Sequence, residues 1–269
     1  MRGWWLEIAG LVLPVACGGC GRPRSELCPS CRAELTESGP RRILPRPVPA
    51  GLPRVHAAAP YDGAVRAALL AHKERGALGL AKPLGAALAG AVEAAAASCG
   101  APGADPLLLV PVPSSRRAVR ARGHDPTRRI ALAAARRLRQ SGRPARVASV
   151  LRQRRAVADQ SALDARGRFA NLSGALEVVA GGARLLAAGR VVLVDDLMTT
   201  GASLTEAARA VAAVRPVHPP FTAHGRPGGR REHRIGRITR PTLTATPTAP
   251  PAPAAVVAGS PSSFVINRN

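Results

Sequence analysis

The stretch Val191-Val192-Leu193-Val194-Asp195-Asp196-Leu197-Met198-Thr199-Thr200-Gly201-Ala202-Ser203 constrains the fold of this chain more than any other. Four consecutive apolar residues predict a strand buried on both faces, as in a parallel sheet. Two acids follow at its carboxyl end, where ligands bind in open α/β sheets. The small-residue loop Thr199–Ser203 then opens a helix. Its amides, hydroxyls and positive helix end make a cradle for a phosphate dianion. Gly201 permits close backbone approach. Ser203-Leu204-Thr205-Glu206 matches a capping box and predicts a helix start there. A capped loop without a ligand has the same pattern. If a phosphate does bind, the two acids would repel it unless they face sugar hydroxyls, and a magnesium ion carried by sugar and pyrophosphate would lower that repulsion further. The chain contains neither GxxxxGK[ST] nor GxGxxG after a strand, so P-loop and dinucleotide readings fail.

Around this unit, short apolar runs alternate with Ala-rich stretches. Strands are expected at 57–59, 107–110, 147–151, 175–179 and 191–194, and helices at 63–72, 80–97, 127–140 and 203–214, with Asp62 as an N-cap. The alternation predicts an α/β domain over residues 57–214 with a mostly parallel, doubly wound sheet. Aromatic residues make up only 2% of a chain that is 46% hydrophobic, so Ala, Val and Leu must fill the core. Residues 36–56 hold five prolines and read as a linker. Beyond Val214 the texture breaks. Residues 215–269 carry ten prolines and eight arginines against the single acid Glu232, and are expected to be a disordered basic tail. A βαβ unit requires a strand after the helix 203–214. The prolines that follow predict that this strand is missing, and the tail offers only the short apolar run Ala254–Ala258.

Residues 1–35 hold a second motif, Cys17-Gly-Gly-Cys20 and Cys28-Pro-Ser-Cys31. Two CxxC knuckles this close can present four thiolates to one structural zinc ion. An iron–sulfur site or reducible disulfides are the alternatives. The pattern fits a reducing, cytoplasmic compartment. The apolar segment 1–16 is interrupted by Glu7 and too short to span a bilayer, so a short amphipathic helix packed on the metal module is expected, with no membrane insertion.

The formal net charge is +23, and Lys73 and Lys82 are the only lysines. Guanidinium groups suit phosphate-rich partners, while a coding bias toward arginine gives the same composition. With so few aromatics for base stacking, any contact with nucleic acid should run through its backbone.

The stretch 191–203 resembles the 5-phosphoribosyl-1-pyrophosphate (PRPP) signature of type I phosphoribosyltransferases. Further motifs, in order, resemble the competence protein F (ComF/GntX-like) family. They are Pro14 before the first cysteine, His72-Lys73-Glu74-Arg75-Gly76, Val110-Pro111-Val112-Pro113, Arg122-Gly123-His124-Asp125, and Gln160, Leu163, Arg168 and Asn171. The resemblance implies that Asp195 and Asp196 hold the ribose hydroxyls, and that Thr199, Thr200, Gly201, Ala202 and Ser203 hold the 5′-phosphate. It implies a pyrophosphate loop at Pro111, Val112, Pro113, Ser114 and Ser115, aided by Arg122 and Lys73. A hood would carry Arg152, Arg154, Arg155, Gln160, Arg168 and Asn171. Thr199 stands where purine-salvage members carry an acid, and after Val214 the chain departs from the family pattern. The implied function is a magnesium-dependent transferase acting on PRPP, in DNA uptake or nucleotide metabolism. The alternative is a non-catalytic PRPP- or nucleotide-sensing module that engages single-stranded DNA or competence proteins.

Overall fold

A computed structural model describes residues 15–100, 105–155, 165–214 and 251–264. The expected N-terminal helix, Gln160 and Leu163, and most of the basic tail lie outside these residues, as does the side chain of Arg168. The strands are β1 (Arg41–Ile43), β2 (Val55–Pro60), β3 (Leu107–Pro111), β4 (Ala145–Val147), β5 (Leu151–Gln153), β6 (Leu176–Val178), β7 (Arg190–Met198) and β8 (Ala254–Gly259). The helices are α1 (Pro29–Thr36), α2 (Gly63–Glu74), α3 (Ala81–Ala97), α4 (Arg116–Arg122), α5 (Pro126–Gln140), α6 (Ala165–Leu172), α7 (Gly182–Leu186) and α8 (Ala202–Ala212).

Six strands form one sheet in the order β1-β2-β8-β7-β3-β4. Only the β1–β2 pair is antiparallel. The mixed, mostly parallel α/β sheet expected from the alternation is therefore present. Two apolar cores sandwich it. One holds Val192 and Val194 with α3 and α5, and the other holds Val191 and Leu193 with α8. Alternate side chains of β7 thus serve opposite faces. The Ala-rich helices come very close. A Cβ on Gly85 of α3 would sit 2.5 Å from the Ala133 Cβ of α5, so small side chains set that spacing.

The expectation of a missing strand is overturned. β8 lies between β2 and β7, parallel to both, and every residue from Ala254 to Gly259 is buried. The Leu193 amide already donates to the Pro253 carbonyl at 2.9 Å. Pro253 lacks an N–H, but it stands just before the strand, where proline is tolerated. The expected linker is not only a connection, because β1 forms the sheet edge beside β2. The expected strand 147–151 is two strands in different sheets. β4 ends at Val147, the Val150 amide turns back to the Ala148 carbonyl at 2.9 Å, and β5 starts a separate antiparallel pair with β6.

Asp62 caps α2 as expected, accepting from the Gly63 amide at 2.8 Å. The capping box does not form. Gly201, at φ +79, is the N-cap of α8, and a Cβ there would meet Leu52 at 2.7 Å. Glu206 turns instead to the β5–β6 sheet, where its carboxylate accepts from the Leu176 amide at 2.8 Å. Among the described residues one helical stretch, Leu78–Ala97, is long and apolar enough to cross a membrane, and most of it is buried in the core.

Candidate functional site

The four motif cysteines converge. Their sulfurs lie within 4.8 Å of one another, with Cys20 and Cys28 Sγ 3.7 Å apart and none joined in a disulfide. A tetrahedral zinc–thiolate site separates its sulfurs by about 3.8 Å, so the donor set fits a metal such as zinc. Gly19 makes the approach possible, because a Cβ there would lie 2.7 Å from Cys31 Sγ. The thiols do not titrate alike. Burial is the largest influence on Cys17 and raises it, but amides of Cys20, Cys28 and Gly19 together draw it down to about 6. Burial and the neighbouring thiols push Cys31 up. A metal cation relieves that mutual repulsion and would hold all four as thiolates. Cys17, Cys28 and Cys31 belong to the same core as α2 and α3, so the knot is built into the main body.

The second site is at the carboxyl end of β7. Its acids lie inside the strand and not beyond it, because β8 continues the ladder with Asp195 opposite Val256 and Met198 opposite Gly259. β3 leaves earlier, at the pair Pro111–Val194. The chain runs from β3 to β4 on one side and from β7 to β8 on the other. The gap between β3 and β7 is therefore a topological switch point, where open α/β sheets place ligands. Residues 112–115 leave the sheet at this gap. The Val112 amide donates to the Val194 carbonyl at 2.9 Å, and Ser115 caps α4.

Two sequence motifs meet here. Lys73 Nζ lies 2.8 Å from Asp196 Oδ2. Next to it, Glu74 takes both Arg122 Nε and Nη2, at 2.9 and 2.7 Å. The His72 carbonyl lies 3.2 Å from His124 Nε2. His72 and Glu74 in the last turn of α2 are thus bound to the Arg122-Gly123-His124 corner. That corner is formed by Gly123 at φ 75 ending α4 and Asp125 capping α5 ahead of Pro126. Arg122, expected at the pyrophosphate, forks onto Glu74, while Lys73 faces the acid pair.

Asp195 Oδ1 accepts from Thr127 Oγ1 at 3.2 Å and from the Asp196 amide at 2.8 Å. Burial, then the charge of Asp196, pushes Asp195 well above the usual carboxylate range. Burial is also the largest influence on Asp196 and raises it. Lys73 and hydrogen bonds from Asp195 and the Leu197 amide outweigh that and hold it below its ordinary value. One cation thus serves two acids. Sequence reading missed Thr127 and Glu74. Glu74 sits within the His72–Gly76 motif, whereas nothing local marks Thr127 beyond its place on the first turn of α5.

Of the expected hood residues, Arg152 and Arg154 reach Glu177 at 2.8 and 3.4 Å, and Arg155 donates to the Asn171 and Ser173 carbonyls. Phe169 belongs to α6. With Thr199 and Thr200, the segment 46–50 and the residues after β8, it lines a cleft of about 1270 Å³. The loop after β8 was not singled out in the sequence. The Ser260 amide ties it to the Met198 carbonyl at 3.0 Å. No protein-family model matches this chain, and no curated protein matches it in sequence.

Proposed function

We propose that this chain is a phosphoribosyltransferase-like protein of the competence protein F type that binds PRPP with magnesium. The observation that carries the reading is the acid pair Asp195–Asp196 at the switch point between β3 and β7, running directly into the Gly201 loop and α8. Asp195 and Asp196 would accept hydrogen bonds from the ribose diol. The loop amides and hydroxyls of Thr199–Ser203 would take the 5′-phosphate, with the positive end of α8 behind them. Lys73 offsets the acids before the ligand arrives, and residues 112–115 stand where a pyrophosphate would lie. Magnesium, a hard cation with oxygen ligands, would enter with the pyrophosphate and diol oxygens. In the transfer, the bond from ribose C1 to pyrophosphate breaks and a bond to the acceptor forms. No carboxylate stands at position 199 to take the acceptor's proton, so the chemistry suits an acceptor that is already anionic.

Titration calorimetry with PRPP and magnesium tests the reading. Binding is expected in the zinc-loaded chain and lost in Asp195→Asn/Asp196→Asn. No binding by the folded protein sinks the proposal. Metal analysis should find about one zinc per chain, and Cys28→Ser should lose it.

A second reading is favoured by α5. Its Arg128, Arg129, Arg136 and Arg137 are exposed, and the helix carries no acid. Such a face suits a nucleic-acid backbone, so the chain would be a PRPP- or nucleotide-sensing module that handles single-stranded DNA. Affinity for a single-stranded oligonucleotide that falls steeply with salt and drops in Arg136→Gln/Arg137→Gln would support it.

A further inference from the structure

We infer that the cleft beside the Thr199–Thr200 loop is an anion site for a second small-molecule substrate, holding its carboxylate or phosphate monoester group. The word substrate rests on the phosphoribosyl reading, whereas the anion site rests on the cleft.

The lining of the cleft has a one-sided chemistry. Arg46 and six hydroxyl-bearing residues line it, among them Thr199 and Thr200, which the phosphoribosyl reading gives to the 5′-phosphate, and no acidic residue does among the described residues. Such a set donates hydrogen bonds and carries positive charge, which selects an acceptor-rich anion. Two of the hydroxyls have no partner. Ser263 is 1% exposed, and neither its Oγ nor the buried Oγ1 of Thr205 makes a hydrogen bond among the described residues. Buried hydroxyls are almost always paired, so two orphans on one cleft mark a place that a ligand completes. Arg46 is exposed and makes no ion pair among the described residues, so its fork is open. Ser260 and Ser262 pair with each other at 2.9 Å and can turn outward together.

The position fits the role. The Ser260–Ser263 turn follows β8, and its first amide bonds to Met198 at the end of the acid-bearing strand. An anion held here would sit at the same carboxyl end of the sheet as the Asp195–Asp196 pair. The cleft exceeds a single phosphate, and Phe169 and Pro47 give it apolar walls, so it suits an anion on a planar or apolar body.

The test uses the full zinc-loaded chain with benzoate and phenyl phosphate as probes and neutral benzamide as the control. Calorimetry should show one or both anions binding, with benzamide at least about tenfold weaker. Arg46→Gln should weaken the anion by about tenfold and Ser263→Ala by a few-fold. The two anions distinguish a carboxylate site from a phosphate site. Equal binding of benzamide, binding indifferent to Arg46→Gln, or no binding of either anion overturns the site. If the anions bind but PRPP does not, the phosphoribosyl reading and the substrate role fall and the anion site stands. If PRPP binds and the anions do not, the anion site alone falls.

Discussion

Glu206 on α8 and Asp196 on β7 are buried to a similar depth, 5% and 6% exposed, and each has a cation within 2.8 Å. Around Glu206 the polar groups are closed upon one another. Its carboxylate takes Arg209 Nε and Nη2 and the Leu176 amide, while Arg209 Nη2 also donates to the Leu176 carbonyl. One acid, one cation and one backbone segment match, and the result is a clasp that fastens the β5–β6 sheet to α8. Asp196 stands beside a second acid, and among the described residues Lys73 alone serves both. The two clusters show how a buried acid signals its use. A balanced cluster holds the fold, whereas one with a surplus carboxyl stores an electrostatic demand that a ligand can meet.

Removing the clasp should have the largest effect. Glu206→Ala leaves the Leu176 amide unpaired and should cost about 2–3 kcal/mol, discounted because Arg209 is half exposed. Thermal unfolding measures this, and a change below about 0.5 kcal/mol would break the contrast. The clasp also fixes a pH dependence. Burial is the largest influence on Glu206 and raises it, but the hydrogen bond from Arg209 and the Leu176 and Gly174 amides bring it below its ordinary 4.5. Its stabilisation is complete above that value and is lost as pH falls through the lowered folded pKa. Below pH 4.5 the stability gap between wild type and Glu206→Ala should therefore shrink.

The acid pair should respond less, and in two directions. Asp196→Asn weakens the link to Lys73 and should cost about 1–2 kcal/mol. Asp195 has the opposite sign. Its folded pKa is raised, so it opposes folding increasingly as pH climbs from the usual carboxylate value toward the folded one. Asp195→Asn should accordingly be neutral or stabilising at pH 7, by at most about 1 kcal/mol, since the Lys73 charge offsets part of the burial cost. Denaturant titration of both variants at pH 7 checks the pair. If both destabilise equally, the acids are an ordinary structural pair and the contrast with Glu206 disappears.

Much of the site was legible before the structure. Val191–Val194 announced a buried strand, the acids and Gly201 followed in register, and the cysteine spacing announced a metal knot. These are local signals, fixed by periodicity and by residues whose chemistry acts over a few positions. The clasp was not legible, because Ser203-Leu204-Thr205-Glu206 satisfies the capping pattern equally well. Gly201 had already taken the N-cap position, which left Glu206 one turn along the helix and free to meet Leu176 from a distant sheet.

Taken alone, the sequence determined the βα unit at 191–212, the cap at Asp62, and the convergence of four thiols. Each depends on neighbours within a turn or a knuckle. Tertiary structure decided the place of β8. Ala254–Gly259 is too short and too plain to announce itself, and it follows a proline-rich stretch that argues against a strand. What makes it one is the open ladder between β2 and β7. Its backbone groups fill that gap in register, and six buried residues close the sheet. The same gap carries the Ser260–Ser263 turn to the cleft. Burial and long-range hydrogen bonding, which no local pattern encodes, placed those hydroxyls beside the acid-bearing strand.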